Sequence, residues 1–466
     1  MTGGSVTGGQ ATDQRSLLDD AVRIWRAGVA AVAPERLLAE AIHLEAIHQG
    51  RWRLSIETTR GDAVDVDLAP SSRLIVVGGG KAGAGMARGF EAALAPLVEA
   101  GQVAGLLSVP ADCVGPTGAI KLVGGRPPGV NEPRPEGAAA TAQMLRLVGD
   151  ASPDDVVICL LSGGGSALLP APAARLSLDD KVAVARLLAA AGASIDELNV
   201  VRQHLSRVKG GGLARACRAG RLVTLVMSDV LGDPLDLIAS GPTVEPASTP
   251  ADALAVLRRL ELLDHPDLSR VVAALHDSGR TKPTPLTTEA TTLVLANNAT
   301  AVDAAGVEAE RLGYSHAMDC AIKSEGPAEG VGRHLAQMAE RMRDATSSTE
   351  PDCLITGGEP TVTLAPADIR GKGGRNQQLA LAALAELGDC HGVALVSGGT
   401  DGEDGPTDAA GAMLDEAIAA RLAGADLADP LRRNDAYPLF ASVDALLMTG
   451  PTHTNVCDLR VVTVRR

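Results

Sequence analysis

The sequence predicts an α/β protein with two sheet-containing units. Short apolar runs, such as RLIVV (73–77) and DVVICLL (155–161), alternate with stretches that can hold a helix, which is typical of a doubly wound parallel sheet. Apolar residues make up 45% of the 466 positions and aromatic residues only 1%, so the core must consist of Ala, Val and Leu. Many of the 52 glycines directly follow the apolar runs, where strands lead into ligand-binding loops. The pattern favours an α/β enzyme.

The first unit is predicted to begin with helices and to continue with parallel strands. Helical periodicity runs through residues 16–32 and through PERLLAEAIHLEAI (34–47), which starts with a proline at a favourable first-turn position. Besides the two runs named above, strands are expected at VAGLLSV (103–109) and RLVTLVM (221–227). The stretch 124–137 is predicted to be a loop, because strand and helix signals continue on both sides of it.

A polar, proline-rich stretch predicts the boundary of the second unit. We expect a disordered tip over 1–13, a first domain over 14–245, a connecting region over 246–290 and a second domain over 291–466. Strands of the second domain are expected in TTLVLANN, PDCLITGGEP, GVALVSGG, DALLMTGPT and DLRVVTV.

Charge and cysteine usage exclude several classes of function. The net charge of −15, without a basic run, argues against a nucleic-acid partner, so an anionic substrate must be held by a few local cations. The seven cysteines lie far apart without a C-x-x-C pair, which predicts free thiols in a reducing compartment. No signal-like or membrane-length apolar run occurs, which predicts a cytoplasmic protein without a membrane partner. A homodimer stays open, because few aromatic residues are available as interface anchors.

The glycine-rich loop after the first predicted strand allows two interpretations. Gly78, Gly80 and Gly83 satisfy G-x-G-x-x-G, the spacing of a dinucleotide-binding turn, which would suit a reductase. The acidic residue expected about 20 residues further on is missing, since Asp112 stands farther along the chain. Alternatively, Lys81 is the functional residue and balances phosphate charge; Ala82 after it excludes a Walker A motif.

Three further segments of the first unit carry candidate binding residues. The SGGGSALL loop (162–169) has small residues and two hydroxyls suited to an anion, and we expect Ser162 and Ser166 to bind the same one. In ELNVVRQHLSRVKGGGLA (197–214), Arg202 and Lys209 face either an anionic substrate or solvent. In SDVLGDPLDLIASGPT (228–243), carboxylates and hydroxyls suit Mg²⁺, a substrate hydroxyl or a helix cap. The candidate binding residues are Gly79, Gly80, Ser162, Gly163, Gly164, Gly165, Ser166, Asn199, Arg202, Lys209, Ser228, Asp229 and Asp233.

The second unit places an arginine and an acidic loop after its strands. Arg375 lies just before a predicted helix, an apt position for a phosphate or carboxylate clamp. The loop SGGTDGEDGPTDAAGA (397–412) holds four carboxylates, which suggests a metal or general-base role or a solvated acidic loop. The candidates here are Glu359, Arg375, Asn376, Thr400, Asp401, Asp404, Thr407, Asp408, Thr454 and Asn455.

Seven motifs in order resemble one family over about residues 15–464. VVGGGKAG, SGGGSALL, LNVVRQHLSRVKGGGLA, SDVLGDPLDLIASGPT, GGRNQQLALA, GTDGEDGPTDAAGA and GPTHTNVCDL look like the class II glycerate kinases, with a DUF4147 and a MOFRL domain. The resemblance implies two Rossmann-like three-layer α/β domains with the active site in the cleft between them. It also implies phosphorylation of the 2-hydroxyl of D-glycerate by ATP with Mg²⁺.

The resemblance assigns catalytic roles to three residues. Lys81, Arg375 and Asp401 match the lysine, arginine and aspartate that are taken as essential in the family, and Asp229 and Asp401 are the candidate Mg²⁺ ligands. One region departs from the family pattern, because EPRPEG stands where a His-Pro element is expected. The alternatives are a hydroxypyruvate reductase that uses NAD(P)H and a non-catalytic sensor of a small acid or nucleotide.

Overall fold

The first domain is built around a six-stranded parallel sheet. The computed structural model describes residues 16–128, 130, 132–280, 285–347 and 349–466; the tip predicted over 1–13 lies outside them. The elements from the N-terminus to this sheet's last strand are α1 (Leu17–Ala31), α2 (Pro34–Ala41), β1 (Ile42–Ala46), β2 (Trp52–Glu57), β3 (Ala63–Leu68), β4 (Leu74–Gly79), α3 (Gly83–Ala93), α4 (Ala95–Glu99), β5 (Val103–Pro110), β6 (Ile120–Arg126), α5 (Pro135–Gly149), β7 (Val156–Leu161), α6 (Gly165–Leu168), α7 (Leu178–Ala190), α8 (Ile195–His204), α9 (Gly212–Ala216), β8 (Arg221–Met227), α10 (Pro250–Arg259), α11 (Ser269–Arg280) and β9 (Glu289–Ala296).

The strand order of this sheet is β6-β5-β4-β7-β8-β9, with every neighbouring pair parallel. Both of its faces are buried: Val76 of β4 packs into one core with Phe90 of α3, while Val77 packs into another with Met144 of α5. Burial on both faces explains why these strands are continuous apolar runs. The four predicted strands, and with them the doubly wound sheet, are confirmed.

A small antiparallel sheet, β1-β2-β3, precedes the main sheet and was not predicted. The helix expected over 34–47 is too long: α2 ends at Ala41, and Ile42 already pairs with Ile56 of β2. Pairing with a neighbouring strand overrides the local helical periodicity there. The loop predicted over 124–137 is shorter than expected, since β6 extends to Arg126 and α5 begins at Pro135.

The second domain contains a six-stranded mixed sheet of order β10-β11-β15-β12-β13-β14. Only β10 and β11 pair in parallel; β15 lies antiparallel between β11 and β12, so the sheet differs from the first. The three-layer α/β architecture is confirmed, because helices cover both faces. Its elements are α12 (Asn298–Leu312), β10 (His316–Cys320), α13 (Ala328–Arg343), β11 (Cys353–Gly358), α14 (Arg375–Leu387), β12 (Val393–Gly399), β13 (Gly411–Leu414), α15 (Glu416–Arg421), α16 (Ala428–Arg433), α17 (Ala436–Ala441), β14 (Leu446–Leu447) and β15 (Asp458–Val464).

Two elements near the expected domain boundaries belong to, or pack on, the domain other than the predicted one. β9 pairs with β8 at the edge of the first sheet, although its residues 291–296 were assigned to the second domain. The region 246–290 holds α10, which packs against α8, and α11, which packs against α10 and α7. Conversely, α1 packs on the second domain, where Trp25 Nε1 donates a hydrogen bond to Leu459 O at 3.0 Å. The second domain therefore begins after β9, about one strand later than the predicted start at residue 291.

Loops at the carboxyl ends of the first sheet's strands meet loops of the second domain. Lys81 follows β4 and Asp401 follows β12, and their side chains are in contact. This junction is where a ligand site is expected in open α/β sheets. Among the described residues, no helix has the length and apolar character needed to cross a membrane.

Candidate active site

The backbone of the loop after β4 is tied to the loop after β7. The Lys81 amide donates to Gly163 O at 2.8 Å, and the Ala82 amide donates to Ser162 Oγ at 3.0 Å. A Cβ at Gly80 would collide with Ser162, so glycine permits the close approach of the two loops. These amides are occupied and cannot cradle a pyrophosphate, which argues against the dinucleotide interpretation of the glycine pattern.

The Lys81 side chain bridges the domains. Its Nζ lies 2.7 Å from Asp401 Oδ2 and 3.1 Å from Glu403 Oε2, both in the loop after β12. Burial opposes the ammonium form, but the two carboxylates outweigh it and hold the pKa of Lys81 above its usual value. Lys81 is therefore a fixed positive charge with a quarter of its side chain exposed to the cleft.

Arg375, at the start of α14, is held by two acids. Its Nε and Nη2 donate to the carboxylate of Asp458 at 2.6 and 2.9 Å, and its Nη1 lies 3.0 Å from Glu359 Oε1. Asp458 is fully buried at the start of β15. Desolvation raises the pKa of Glu359 to about 7, although Arg375 favours its carboxylate form. The guanidinium of Arg375, which the sequence predicts to bind a phosphate or carboxylate, is thus already paired with two acidic side chains of the protein.

Lys81 and Arg375 line one cavity between the domains, with a volume of about 670 Å³. A second cavity of about 600 Å³ adjoins it and shares Arg375, Gly405 and Pro406. Other charged and titratable side chains that line the first cavity are Asp112, Cys113, Arg126, Asp401, Glu403 and His453. Each of the two cavities has the volume of a typical small-molecule site.

Asp229, after β8, lines neither cavity but lies close enough for the charges of Lys81, Asp401 and Arg375 to act on it. Its Oδ2 accepts a hydrogen bond from Asn455 Nδ2 at 3.0 Å, and a Cβ at Gly163 would collide with both side chains. Burial raises the pKa of Asp229 to about 6, against the opposing effect of Lys81, and the charge of Asp401 raises it further. The described residues include no group of three or more His, Cys, Asp or Glu side chains arranged to hold a metal ion.

The SGGGS loop is supported from behind by a buried lysine. Lys209 Nζ donates to Ser166 O at 2.9 Å, and Ser166 Oγ pairs with Ser240 Oγ at 2.8 Å. Ser162 Oγ accepts a hydrogen bond from the Ala82 amide, whereas Ser166 Oγ pairs with Ser240, so the two hydroxyls have different partners within the protein. Burial, with the neighbouring Lys181 and Arg202 charges, lowers the pKa of Lys209 well below its usual value. Lys209 thus positions the loop and lies outside the cavity.

Several sequence candidates support the loops. Asp404 accepts hydrogen bonds from the amides of Asn376 and Gln377 at 3.0 and 2.9 Å, which fixes the start of α14. Thr407 Oγ1 accepts from Gln377 Nε2 at 2.9 Å, and Thr407 also lines the cavity. The remaining supports are Thr400 Oγ1 to Cys457 O, Thr454 Oγ1 to Val32 O, Ser240 Oγ to Asn199 Oδ1, and Ser228 Oγ to Val230 O. Gly79 ends β4, and Gly164 and Gly165 lead into α6.

Asp233 and Asp408 lie away from the cavity, and Arg202 does not line it either. Asp233, in a turn with φ of 54°, contacts Arg60 and Asn297 in a separate cavity of about 290 Å³. Asp408 is exposed and bonds Tyr437 Oη at 2.6 Å. Arg202, with Asn199 on α8, is half-buried and forms no hydrogen bond with any described residue. A turn directs the Asp233 side chain away from the cavity, and Asp408 lies at an exposed loop end. The local sequence reveals neither.

Two family models match the chain. The model described as a domain of unknown function, DUF4147, matches residues 20–275, and the MOFRL family model matches residues 352–458. The glycerate kinase of Homo sapiens is 34% identical to this chain, over 97% of this chain and 94% of its own length. The chain belongs to the class II glycerate kinase family.

Solved structures and curated relatives agree with membership of the class II glycerate kinase family. A crystal structure of a glycerate kinase from Thermotoga maritima matches with a TM-score of 0.77 and 32% identity, over 96% of this chain and 99% of that one. A protein of Agrobacterium vitis that carries the provisional name hydroxypyruvate reductase is 38% identical over 85% of this chain and 88% of its own length. The resemblance found in the seven motifs is confirmed.

Sequence reasoning missed Arg126 and His453 of this family member's cleft, and it did not predict the partners of Glu403 and Asp458. Glu403 contacts Lys81, Asp458 holds Arg375, and Arg126 and His453 line the cavity. Arg126 and Asp458 stand at the end and the start of strands, a signal that could have identified them as cleft residues. The contact of Glu403 with Lys81 depends on the meeting of two domains, and that of Asp458 with Arg375 depends on the pairing of β15; motif spacing encodes neither.

Proposed function

We propose that the protein is a glycerate 2-kinase that transfers the γ-phosphate of ATP to the 2-hydroxyl of D-glycerate. The observation that carries the proposal is the contact of Lys81, from the first domain, with Asp401 and Glu403 of the second, in an interdomain cavity that also contains Arg375. Phosphoryl transfer requires positioned cations and an aligned hydroxyl more than covalent help from the protein. The relatives named as glycerate kinases support the choice of substrate.

In this proposal Lys81 stabilises the charge of the transferred phosphate, and Asp401 acts as the general base. When a phosphate enters the cleft, the ammonium of Lys81 exchanges carboxylate contact for phosphate contact and balances the migrating charge. Asp401 is released from the ion pair and accepts the proton of the attacking 2-hydroxyl. Both groups lie at the mouth of one cavity, so the exchange needs no rearrangement of the fold.

Mg²⁺ belongs to the same proposal, with Asp229 and one oxygen of Asp401 as its protein ligands, while the other oxygen of Asp401 accepts the hydroxyl proton. Magnesium usually binds one or two carboxylates together with substrate phosphates and water, so these two side chains fit its preference. One oxygen of Asp229 accepts from Asn455, which leaves the other available. The ion supplies charge neutralisation between the phosphates when it is bound.

The testing experiment is an assay of the purified protein with ATP, Mg²⁺ and D-glycerate, with the product analysed by NMR. We expect 2-phosphoglycerate, and a Lys81→Ala variant should lose about 10²- to 10³-fold in kcat, as for a lost charge-stabilising group. Formation of 3-phosphoglycerate would contradict the position of transfer. Oxidation of NADH or NADPH with hydroxypyruvate, without phosphorylation, would instead support the reductase.

A further inference from the structure

Arg126, at the end of β6, is a buried cation that forms no ion pair with any carboxylate in the part of the chain that the structure describes. Its side chain lines the interdomain cavity, yet the residue is only 3% exposed. Its Nη1 donates to the carbonyl oxygens of Val130 at 2.7 Å and Pro127 at 3.4 Å. Within the described residues it forms no ion pair, and its Nε has no hydrogen-bond acceptor although it is fully buried. A buried guanidinium that lacks a negatively charged acceptor destabilises the fold unless a ligand supplies that acceptor.

The contrast with Arg375 identifies which edge of Arg126 is available. Arg375 uses Nε and Nη2 to hold the carboxylate of Asp458 in a bidentate pair, and its Nη1 contacts Glu359. The corresponding Nε and Nη2 edge of Arg126 donates to no described residue. This edge of a guanidinium matches two oxygens of a carboxylate or phosphate group.

The surroundings of Arg126 suit an oxyanion. A Cβ built on Gly164 would lie 3.4 Å from both Arg126 Nη2 and Lys81 Cγ, so the arginine and the lysine approach the same glycine from two sides. The amides of Gly163 and Gly164 also donate to no described acceptor. Two cations and two available amides therefore surround the SGGGS loop, which is a favourable site for a group with several oxygens.

We propose that Arg126 is a substrate-binding residue that holds an oxyanion group of a substrate through its Nε and Nη2 atoms, beside Lys81. The inference rests on the proposed kinase function for the identity of that group: it is either the carboxylate of glycerate or a phosphate of ATP. The two sources share one chemistry, a pair of oxygens presented to the guanidinium edge.

Three variants test the proposal in the full-length protein. Arg126→Ala removes the guanidinium group, and Arg126→Lys keeps the positive charge but cannot form two parallel hydrogen bonds. Lys121→Ala, which removes an exposed cation from the same strand, is the control. The Michaelis constants for D-glycerate and ATP are measured separately. We expect Arg126→Ala to raise one of them about 10- to 100-fold, the effect of one lost charge-assisted pair, and Arg126→Lys to recover only part of it. Added guanidinium chloride at millimolar concentration should partly restore Arg126→Ala.

The affected substrate identifies the bound group. A higher Michaelis constant for D-glycerate indicates its carboxylate, and one for ATP indicates a phosphate. If Arg126→Ala behaves like Lys121→Ala for both substrates, the proposal is overturned while the kinase function stands. If Arg126→Ala does not fold, Arg126→Lys decides: full activity overturns the proposal, because a lysine retains charge but cannot form the two parallel hydrogen bonds.

A second measurement applies if the wild-type protein makes no phosphoglycerate. Binding of inorganic phosphate and of acetate is then measured by calorimetry for the wild type, Arg126→Ala and Lys121→Ala. Loss of binding only in Arg126→Ala supports the site even though the kinase function has failed. Equal binding in all three proteins, or no binding by the wild type, overturns the site.

Discussion

Lys81 Nζ lies 2.7 Å from Asp401 Oδ2, although 320 positions separate the two residues in the chain and they belong to different domains. The lysine is placed by a glycine-rich turn after β4 and the aspartate by one after β12. The contact therefore depends on how the two sheets face each other. Any change in their relative position alters the charge balance at the mouth of the cavity.

Asp401 is expected to affect turnover more than binding. Replacement of Asp401 by Asn keeps the size of the side chain but removes its ability to accept a proton, so kcat should fall about 10²- to 10⁴-fold. At saturating Mg²⁺ the Michaelis constants for both substrates should change much less, because the amide side chain of the variant still fills the same space. Steady-state kinetics in both substrates check this. A large rise in the Michaelis constants with unchanged kcat would remove the base role.

The close approach of the loops after β4 and β7 predicts a strict requirement for glycine at position 80. Gly80 has φ of 150°, and an added Cβ would collide with the side chain and backbone of Ser162. Gly80→Ala should therefore displace Lys81 and lower both stability and kcat. Gly115→Ala is the matched control, since a Cβ there meets no atom within 4 Å. Thermal unfolding and kinetics measured on both variants decide the point; similar behaviour would contradict the tight packing.

Sequence patterns predicted the parts of the fold that local chemistry determines. Strand β4 and its glycine turn were predicted because an apolar run ends in residues that permit a close backbone approach. The small sheet was not predicted, although AVDVDL (63–68) in β3 alternates between exposed and buried residues as a half-buried strand does. The antiparallel position of β15 between β11 and β12 could not be predicted, because it depends on which strands meet after the chain returns.

The same limit applies to the site. Lys81, Arg375 and Asp401 were predicted as site residues because each lies in a glycine-rich turn that follows a strand or precedes a helix. The bond between Arg375 and Asp458 was missed, because its two residues lie 83 positions apart and meet only when β15 enters the sheet. Asp233 was included because its motif is polar, but a turn directs it into another cavity.

The pair of Arg375 and Asp458 should contribute strongly to stability. Asp458 is completely buried, and its removal leaves a guanidinium without its main partner. We expect Asp458→Ala to lower the free energy of unfolding by about 3–5 kcal/mol. Asp67→Ala is the control, since Asp67 forms a similar two-bond pair with Arg53 at the surface and should change stability little. Denaturant unfolding of both variants provides the test; equal effects would contradict the importance of burial.

Asp229 should make the protein less stable as the pH rises. Burial raises its pKa in the folded protein to about 6, whereas the unfolded chain titrates near 3.8. Between these values the folded state binds more protons than the unfolded state, so the free energy of unfolding falls as pH increases through the window. Asp229→Asn lacks this titration. Above about pH 6 it should be more stable than the wild type by at most about 3 kcal/mol, and less than that because Asp229 retains some solvent contact.

This stability gain should come with a loss of activity if Asp229 binds Mg²⁺, because the amide that replaces it is a weaker ligand. Unfolding curves from about pH 3 to pH 8 and the Mg²⁺ dependence of the reaction separate the two effects. The advantage of the variant should disappear below about pH 4, where the wild-type carboxyl is protonated in both states. A stability difference that does not vary with pH would show that Asp229 acts through packing and its hydrogen bond with Asn455, and the raised pKa would be contradicted.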